Sequence, residues 1–251
     1  MAEATLRMVR LVIRAPKLVS FAGRNLPRQQ DDTSFLVHRL LASLFGEGVL
    51  QPFRVLDEER RSLPVLGYTG RSEEELRDHA DSFADPLAHS AVEWGSFATK
   101  PMPHPWETGR HLGFEVKVCP VVRLASARDV EWLGEPRTLQ RGAELDAFVH
   151  RRHMNGDDEA TREGVYRDWT AERLHPAADI LSSFLRSFRR RKLIRKTHEE
   201  VRRTQVLERP EALVGGILSV RDPKAFAAIL ASGVGRHKAF GFGMLLLHPE
   251  T

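Results

Sequence analysis

In the first hundred residues, the spacing of hydrophobic positions switches between that of a strand and that of a helix. Alternating apolar residues predict a strand over Met8–Arg14. A helical stripe of apolar residues follows the N-cap candidates at Asp31–Ser34, and predicts a helix that ends at Gly46 or Gly48. The other elements predicted in this half are strands over Gln51–Asp57 and Ser62–Tyr68, a capped helix over Ser72–Ala80 and a strand over Ser90–Thr99.

A cluster of helix and strand breakers (Pro101, Pro103, Pro105 and Gly109) predicts a domain boundary. The elements predicted after it are a strand over His111–Val118, helices over Leu139–Met154 and Glu159–Leu174, strand-like segments at Ala178–Lys196 and Thr204–Val220, a helix from Asp222-Pro223 to Ser232, and a strand over Phe242–Leu247. Both halves therefore follow the order strand, helix, two strands, helix, strand, with an extra helix inserted early in the second half. This order predicts an α+β fold of two tandem ferredoxin-like (RRM-like, split βαβ) domains, at residues 1–105 and 106–251.

The composition narrows the class of protein. Of 251 residues, 41% are hydrophobic and 29% are charged, which is typical of a globular chain. No uncharged stretch approaches the roughly 20 residues of a membrane-spanning helix, and the arginines in Met8–Arg14 are untypical of a signal peptide. A single cysteine, Cys119, excludes an internal disulfide or a cysteine-based zinc site. We expect a cytoplasmic protein that has no membrane contact.

Basic residues are concentrated in one run, although the net charge is only +4. Arg186–Arg203 holds nine Arg and Lys residues against Glu199 and Glu200. Arginine clusters bind phosphates, so nucleic acid becomes the leading class of partner, and a solvated basic face is the alternative. The run fits a helix or a β-hairpin. The polar break at Thr197–Glu200 and the strand-like sequence after it favour the hairpin.

A glycine-rich segment closes the chain. Gly-Val-Gly at Gly233–Gly235 and Gly-Phe-Gly at Gly241–Gly243 flank a basic apex, Arg236–Lys238. The spacing matches neither a phosphate-binding P-loop nor a dinucleotide fingerprint. Glycines let a backbone approach phosphates closely, which favours a phosphate-binding loop over ordinary cap and turn glycines.

The run from Leu213 to Pro249, LVGGILSVRDPKAFAAILASGVGRHKAFGFGMLLLHP, resembles the C-terminal end of the CasE-type CRISPR repeat endoribonucleases of type I-E Cascade. Looser matches are His38-Arg39, Lys100-Pro101, and Tyr166 with Trp169. The resemblance implies metal-independent cleavage of CRISPR repeat RNA at its stem-loop. In the reaction that the resemblance implies, no cofactor takes part: the ribose 2′-hydroxyl attacks the adjacent phosphate, and the products carry a 2′,3′-cyclic phosphate and a 5′-hydroxyl. It further implies that the protein stays on the 3′ stem-loop of the crRNA, with other Cascade subunits and, indirectly, target DNA as partners.

His38 is the candidate catalytic residue. It lies at the border of the apolar stripe of its predicted helix, and histidine can transfer protons near neutral pH. By resemblance, it occupies the place of the family's catalytic histidine. Two departures stand out: Phe35 occupies a place where the family often has tyrosine, and Phe114–Pro120 replaces an arginine-rich strand.

The residues that we expect to bind RNA combine the His38-Arg39 pair, the basic run and the glycine-rich loop. They are Arg39, Arg189, Arg190, Arg191, Lys192, Arg195, Lys196, Gly233, Gly235, Arg236, His237, Lys238, Gly241 and Gly243. Arg190, Lys192 or Lys196 could supply a cation beside His38. Two alternative functions stay open: a non-catalytic RNA-hairpin-binding structural subunit of a ribonucleoprotein, and a phosphate-binding enzyme that uses the glycine loop.

Overall fold

The computed structural model describes residues 5–25, 32–58, 61–132, 135–196 and 204–250. Its first sheet is antiparallel, in the order β2-β3-β1-β4, which is the strand order of a ferredoxin-like fold. The elements of this half are β1 (Arg7–Arg14), α1 (Ala15–Asn25), α2 (Thr33–Phe45), β2 (Phe53–Val55), β3 (Ser62–Thr69), α3 (Glu73–Phe83), α4 (Pro86–Ala91), a 3₁₀ turn (Trp94–Ser96) and β4 (Ala98–Pro101).

The second sheet repeats this order as β10-β11-β5-β12, again with antiparallel neighbours. Its half contains β5 (His111–Val118), β6 (Val121–Arg123), β7 (Arg128–Trp132), β8 (Glu135–Leu139), β9 (Glu144–Asp146), α5 (Ala147–Val149), a π-helical turn (His150–Met154), α6 (Arg162–Leu174), β10 (Ala178–Lys196), β11 (Thr204–Val220), α7 (Pro223–Ser232), a 3₁₀ turn (Lys238–Phe240) and β12 (Leu245–His248). The predicted α+β class with two ferredoxin-like units is confirmed. The division at residues 105 and 106 stays a prediction.

Two local expectations need correction, and one helix was not predicted. The helix α1 is an addition to the predicted elements; it follows β1 directly and buries Leu18 and Phe21. The strand predicted over Ser90–Thr99 is wrong, because Asp85 caps α4 with Pro86 in its first turn and the strand begins only at Ala98. The helix predicted over Leu139–Met154 is also wrong at its start, since Glu144–Asp146 pairs with β6 before the helical turns begin.

The basic run lies in a β-hairpin, the structure that its sequence favours. Strands β10 and β11 pair from Ala178 opposite Val220 to Lys196 opposite Thr204. The part of the run from 197 to 203 lies outside the described residues. Among the described residues, no helix is both long and apolar enough to cross a membrane.

The helices of each half pack against the sheet of that half. The first core packs α1, α2 and α3 against β1 and β3, and Leu11, Leu40 and Leu63 are almost fully buried there. The second core packs α6 and α7 against the other sheet. The halves meet at a hydrogen bond of 2.9 Å from the Tyr68 hydroxyl to the Leu245 carbonyl. This contact joins β3 to β12, and the ion pairs described below join the start of α2 to the second half.

Candidate functional site

The His38 side chain is half-buried on α2, beside the core strand β2. The helix is capped by Asp32, whose carboxylate accepts a hydrogen bond of 2.9 Å from the Phe35 N–H. The imidazole stacks on the Phe53 ring, with centroids 6.3 Å apart and 8° between the planes. Burial and the neighbouring Arg39 lower the pKa of His38 below its ordinary 6.5. The ring is therefore neutral at neutral pH and can accept a proton.

The glycine-rich loop packs against the beginning of α2, so the structure brings together two motifs from opposite ends of the chain. A Cβ on Gly241 would lie 3.0 Å from the Ser34 hydroxyl oxygen. The Phe240 ring contacts the Phe35 ring, with centroids 5.4 Å apart. The Phe35 ring is in turn 6.1 Å from His38. His38 and the loop therefore belong to one site.

All four glycines of the loop have positive φ angles, from 75° to 89°, a region that side chains rarely adopt. Packing also requires two of them to be glycine. A Cβ on Gly235 would lie 2.7 Å from the Trp169 ring, and one on Gly243 would lie 2.5 Å from the Val234 carbonyl oxygen. The shape of the loop thus has a structural reason in the chain itself. Contact between Gly233, Gly235, Gly241 or Gly243 and a phosphate stays a prediction.

The three basic residues at the loop apex have different surroundings. Arg236 and His237 both contact the carboxylate of Glu144, at 3.4 Å and 2.9 Å. Lys238 has no ion pair with any residue in the described part of the chain, and burial lowers its pKa. Of these three, Lys238 is the cation most available to an anionic ligand.

The basic residues of β10 lie on two faces, because successive side chains of a strand point in opposite directions. Arg190 and Lys192 lie on one face and are exposed; Arg190 is 3.6 Å from Glu208. Arg189 and Arg191 lie on the other face, and both contact Glu211, but the Arg189 side chain is 53% exposed whereas that of Arg191 is 10% exposed. The side chains of Arg195 and Lys196 are outside the described residues, although their backbone extends β10.

Arg191 is the centre of a buried ion-pair network that the sequence does not predict. Its guanidinium donates to Asp32 at 2.8 and 2.9 Å, to Glu58 at 3.0 Å and to Glu211 at 2.8 Å. Only 10% of its side chain is exposed. Lys117 lies 3.1 Å from Glu58. The network thereby joins α2, the turn after β2, and the strands β5, β10 and β11.

Burial and ion pairing act in opposite directions on the pKa values of the network. Burial opposes ionisation of Glu58, but Lys117 and Arg191 lower its pKa to about 2. Burial likewise raises the pKa of Asp32, and Arg191 opposes that rise. No local sequence pattern could reveal these contacts, since Arg191 and Asp32 are 159 positions apart. The burial of Arg191 favours a structural role over the RNA contact that the sequence predicts for it.

The remaining predicted residue, Arg39, lies next to His38 on α2. Its guanidinium is 3.4 Å from the Glu47 carboxylate in an exposed pair, which contributes little to stability. Within the described ranges, no group of three or more His, Cys, Asp or Glu side chains is placed to hold a metal ion.

Comparisons with known proteins fit this geometry. The CRISPR-associated endoribonuclease Cse3 of Thermus thermophilus is 31% identical to the chain over 153 residues. That alignment spans 61% of this chain and 63% of the relative, less than two thirds of its length. Among solved structures, a CRISPR endoribonuclease Cse3 bound to a 19-nucleotide RNA has a TM-score of 0.58 at 18% identity, covering 97% of this chain and 100% of that chain.

A second solved structure, Cas6e of Escherichia coli K-12, has a TM-score of 0.57 at 14% identity, with coverage of 97% of this chain and 100% of that chain. At such identities the likeness shows the fold alone. The family assignment comes from a sequence model instead: the family model for CRISPR associated protein matches residues 8–249. The resemblance noted in the C-terminal residues is thus confirmed, and the chain belongs to the CRISPR-associated protein family.

Proposed function

We propose that this protein is an endoribonuclease that cleaves CRISPR repeat RNA at its stem-loop to produce mature crRNA. The observation that carries the proposal is the placement of a neutral, half-buried His38 beside the glycine-rich loop. The name of the 31% identical relative, a CRISPR-associated endoribonuclease, supports the same activity.

The proposed chemistry uses an internal nucleophile. The neutral imidazole of His38 takes the proton from the ribose 2′-hydroxyl, whose oxygen then attacks the adjacent phosphorus. The P–O5′ bond breaks as the O2′–P bond forms, which leaves a 2′,3′-cyclic phosphate on one product. The departing O5′ takes up a proton and becomes a 5′-hydroxyl. The nucleophile is the 2′-hydroxyl of the RNA itself, and His38 accepts its proton. We therefore propose that the reaction requires no metal ion.

RNA would bind through the exposed cations around this site. Arg190 and Lys192, which are exposed on the outer face of β10, would contact stem phosphates, and Lys238 at the loop apex would lie toward the phosphate near His38. Arg39 would contribute from α2. We further propose that the protein acts in the cytoplasm, stays on the 3′ stem-loop after cleavage, and binds other Cascade subunits. A chain of a CRISPR RNA-guided surveillance complex shares its fold, at a TM-score of 0.56, which is compatible with this placement.

The proposal is tested with a synthetic RNA of the CRISPR repeat that lies beside the gene, in buffer containing EDTA. We expect one cut, with a cyclic phosphate on the upstream product. His38→Ala should abolish the cut and leave binding intact. His175→Ala is the matched control, because this histidine is exposed at the end of α6. Cleavage that persists in His38→Ala, or that disappears with EDTA, would contradict the proposed mechanism.

One observation favours a second function, a non-catalytic RNA-binding structural subunit. Phe35 packs on Phe240 and offers no hydroxyl beside His38, whereas the family often has tyrosine at this place. This alternative predicts tight binding of the repeat hairpin with no cut, even at long incubation.

A further inference from the structure

Arg191 differs from its neighbours on β10 in what surrounds it. Arg190 and Lys192 are exposed, whereas the guanidinium of Arg191 is enclosed by the carboxylates of Asp32, Glu58 and Glu211. These carboxylates occupy the positions around the guanidinium that a phosphate would need. An RNA contact by Arg191 would also require it to give up four hydrogen bonds. The surroundings of Arg191 therefore disfavour a direct role in RNA binding.

The partners of Arg191 hold the first turn of α2. The Asp32 oxygen that accepts the Phe35 N–H also accepts a hydrogen bond from Arg191, at 2.9 Å in each case. The Glu58 oxygen that accepts from Arg191 also accepts from the Ser34 hydroxyl, at 2.8 Å. Arg191 thus reaches both the cap and the first turn of the helix through two carboxylates.

This first turn begins the helix that carries His38. His38 follows Asp32 by six residues, or roughly 9 Å along the helix axis, so a tilt at the cap displaces the imidazole. Cleavage by proton transfer depends on the placement of the catalytic group to within about 1 Å. We infer that Arg191 is a positioning residue that couples RNA docking on the outer face of β10 to the placement of His38, through Asp32 and Glu58. This inference rests on the proposed function.

Binding and cleavage measured separately distinguish positioning from phosphate contact. Arg190→Gln and Arg191→Gln make the same change on opposite faces of one strand, and Arg71→Gln is a control that removes an exposed arginine just before α3. For Arg190→Gln we expect weaker binding of an uncleavable 2′-deoxy repeat RNA, and a slope of log Kd against log salt lower by roughly 0.7–0.9. For Arg191→Gln we expect Kd within about threefold and an unchanged slope, but single-turnover cleavage at least about tenfold slower. Arg71→Gln should change neither quantity.

A double variant separates positioning from loss of folding. Asp32→Asn keeps a capping oxygen, because asparagine caps helices about as well as aspartate. Combined with Arg191→Gln, it removes both charges and leaves no unpaired buried carboxylate at the cap. We expect the double variant to cleave at least about threefold faster than Arg191→Gln alone. A double variant that is slower than the single one would overturn the inference, as would an Arg191→Gln variant that loses affinity and salt dependence like Arg190→Gln or that cleaves at the wild-type rate.

Amide hydrogen exchange provides a readout that does not depend on cleavage. RNA binding should slow exchange in the first turns of α2, residues 33–38, in the wild type and much less in Arg191→Gln. Equal slowing in both proteins would overturn the inference even if the RNA is cut. Failure of the wild type to cut, with unequal slowing, would contradict the proposed catalytic function and leave the coupling supported.

Discussion

Glu58 provides a quantitative test of the ion-pair network. Its carboxylate contacts Lys117 at 3.1 Å, Arg191 at 3.0 Å and the Ser34 hydroxyl at 2.8 Å, and 17% of the side chain is exposed. Glu58→Gln keeps the shape and an accepting oxygen but removes the charge. The perturbation therefore measures the electrostatic part of these contacts.

The pKa of Glu58 sets the expected magnitude. In the folded protein it is lowered from 4.5 to about 2, by Lys117 and Arg191 against the opposing effect of burial. At roughly 1.4 kcal/mol per pH unit, this difference corresponds to about 3 kcal/mol of folding free energy. A lowered pKa stabilises the folded state fully above about pH 4.5, and this stabilisation is lost as the pH falls toward 2. Glu58→Gln should thus cost about 3 kcal/mol at pH 7 and about 1 kcal/mol at pH 3.

Urea unfolding followed by circular dichroism at both pH values measures these differences. Asp168→Asn is a matched control, since it removes one carboxylate from an exposed pair with Arg151 at 2.6 Å. Exposed pairs contribute roughly 0–1 kcal/mol, so the control should lose little at either pH. A loss for Glu58→Gln that is the same at pH 3 and pH 7, or that stays below about 1 kcal/mol at pH 7, would refute the electrostatic reasoning.

Three further predictions concern the site itself. Because burial lowers the pKa of His38 below 6.5, the single-turnover cleavage rate should fall to half its maximum at a pH below 6.5; a half-maximal rate above pH 6.5 would contradict this. Gly235→Ala, which forces a Cβ against Trp169 at positive φ, should lower the free energy of unfolding by about 1–3 kcal/mol in urea titrations, whereas Gly23→Ala, with open space in α1, should not lower it. Phe35→Tyr places a hydroxyl one helical turn from His38 and should speed cleavage by about tenfold with Kd unchanged; an equal or slower rate would show that the hydroxyl has no role here.

Local patterns are sufficient to predict most of the fold. The order of elements in both halves follows from periodicity and caps, as with the Ser72 capping box at the start of α3 and Asp222 at the start of α7. The failures lie where tertiary pairing decides the structure. Glu144–Asp146 has a sequence that suits a helix, yet it pairs with β6 as a strand.

The site is only partly predictable from the sequence. His38 and the glycine loop have local signatures, but their contact through Phe35 and Phe240 depends on how the two halves pack. The same packing hides Glu58, which belongs to a charged turn in the sequence and is a buried ion-pair partner in the structure. Such contacts join residues that are far apart in the chain, so the periodicity and spacing of the sequence cannot predict them.

The strand geometry of the basic run determines which of its cations are available to RNA. Nine basic residues in Arg186–Arg203 suggest one RNA-binding surface, but a strand presents alternate residues to opposite faces. Because the run forms a strand of a hairpin, the alternation of side chains puts Arg190 and Lys192 on one face and Arg189 and Arg191 on the other. The carboxylates of Asp32, Glu58 and Glu211 then enclose Arg191, whereas the Arg189 side chain contacts two of them and stays 53% exposed. Arg189 and Arg191 therefore neutralise these carboxylates, and the same strand that offers cations to RNA also holds the helix that carries His38.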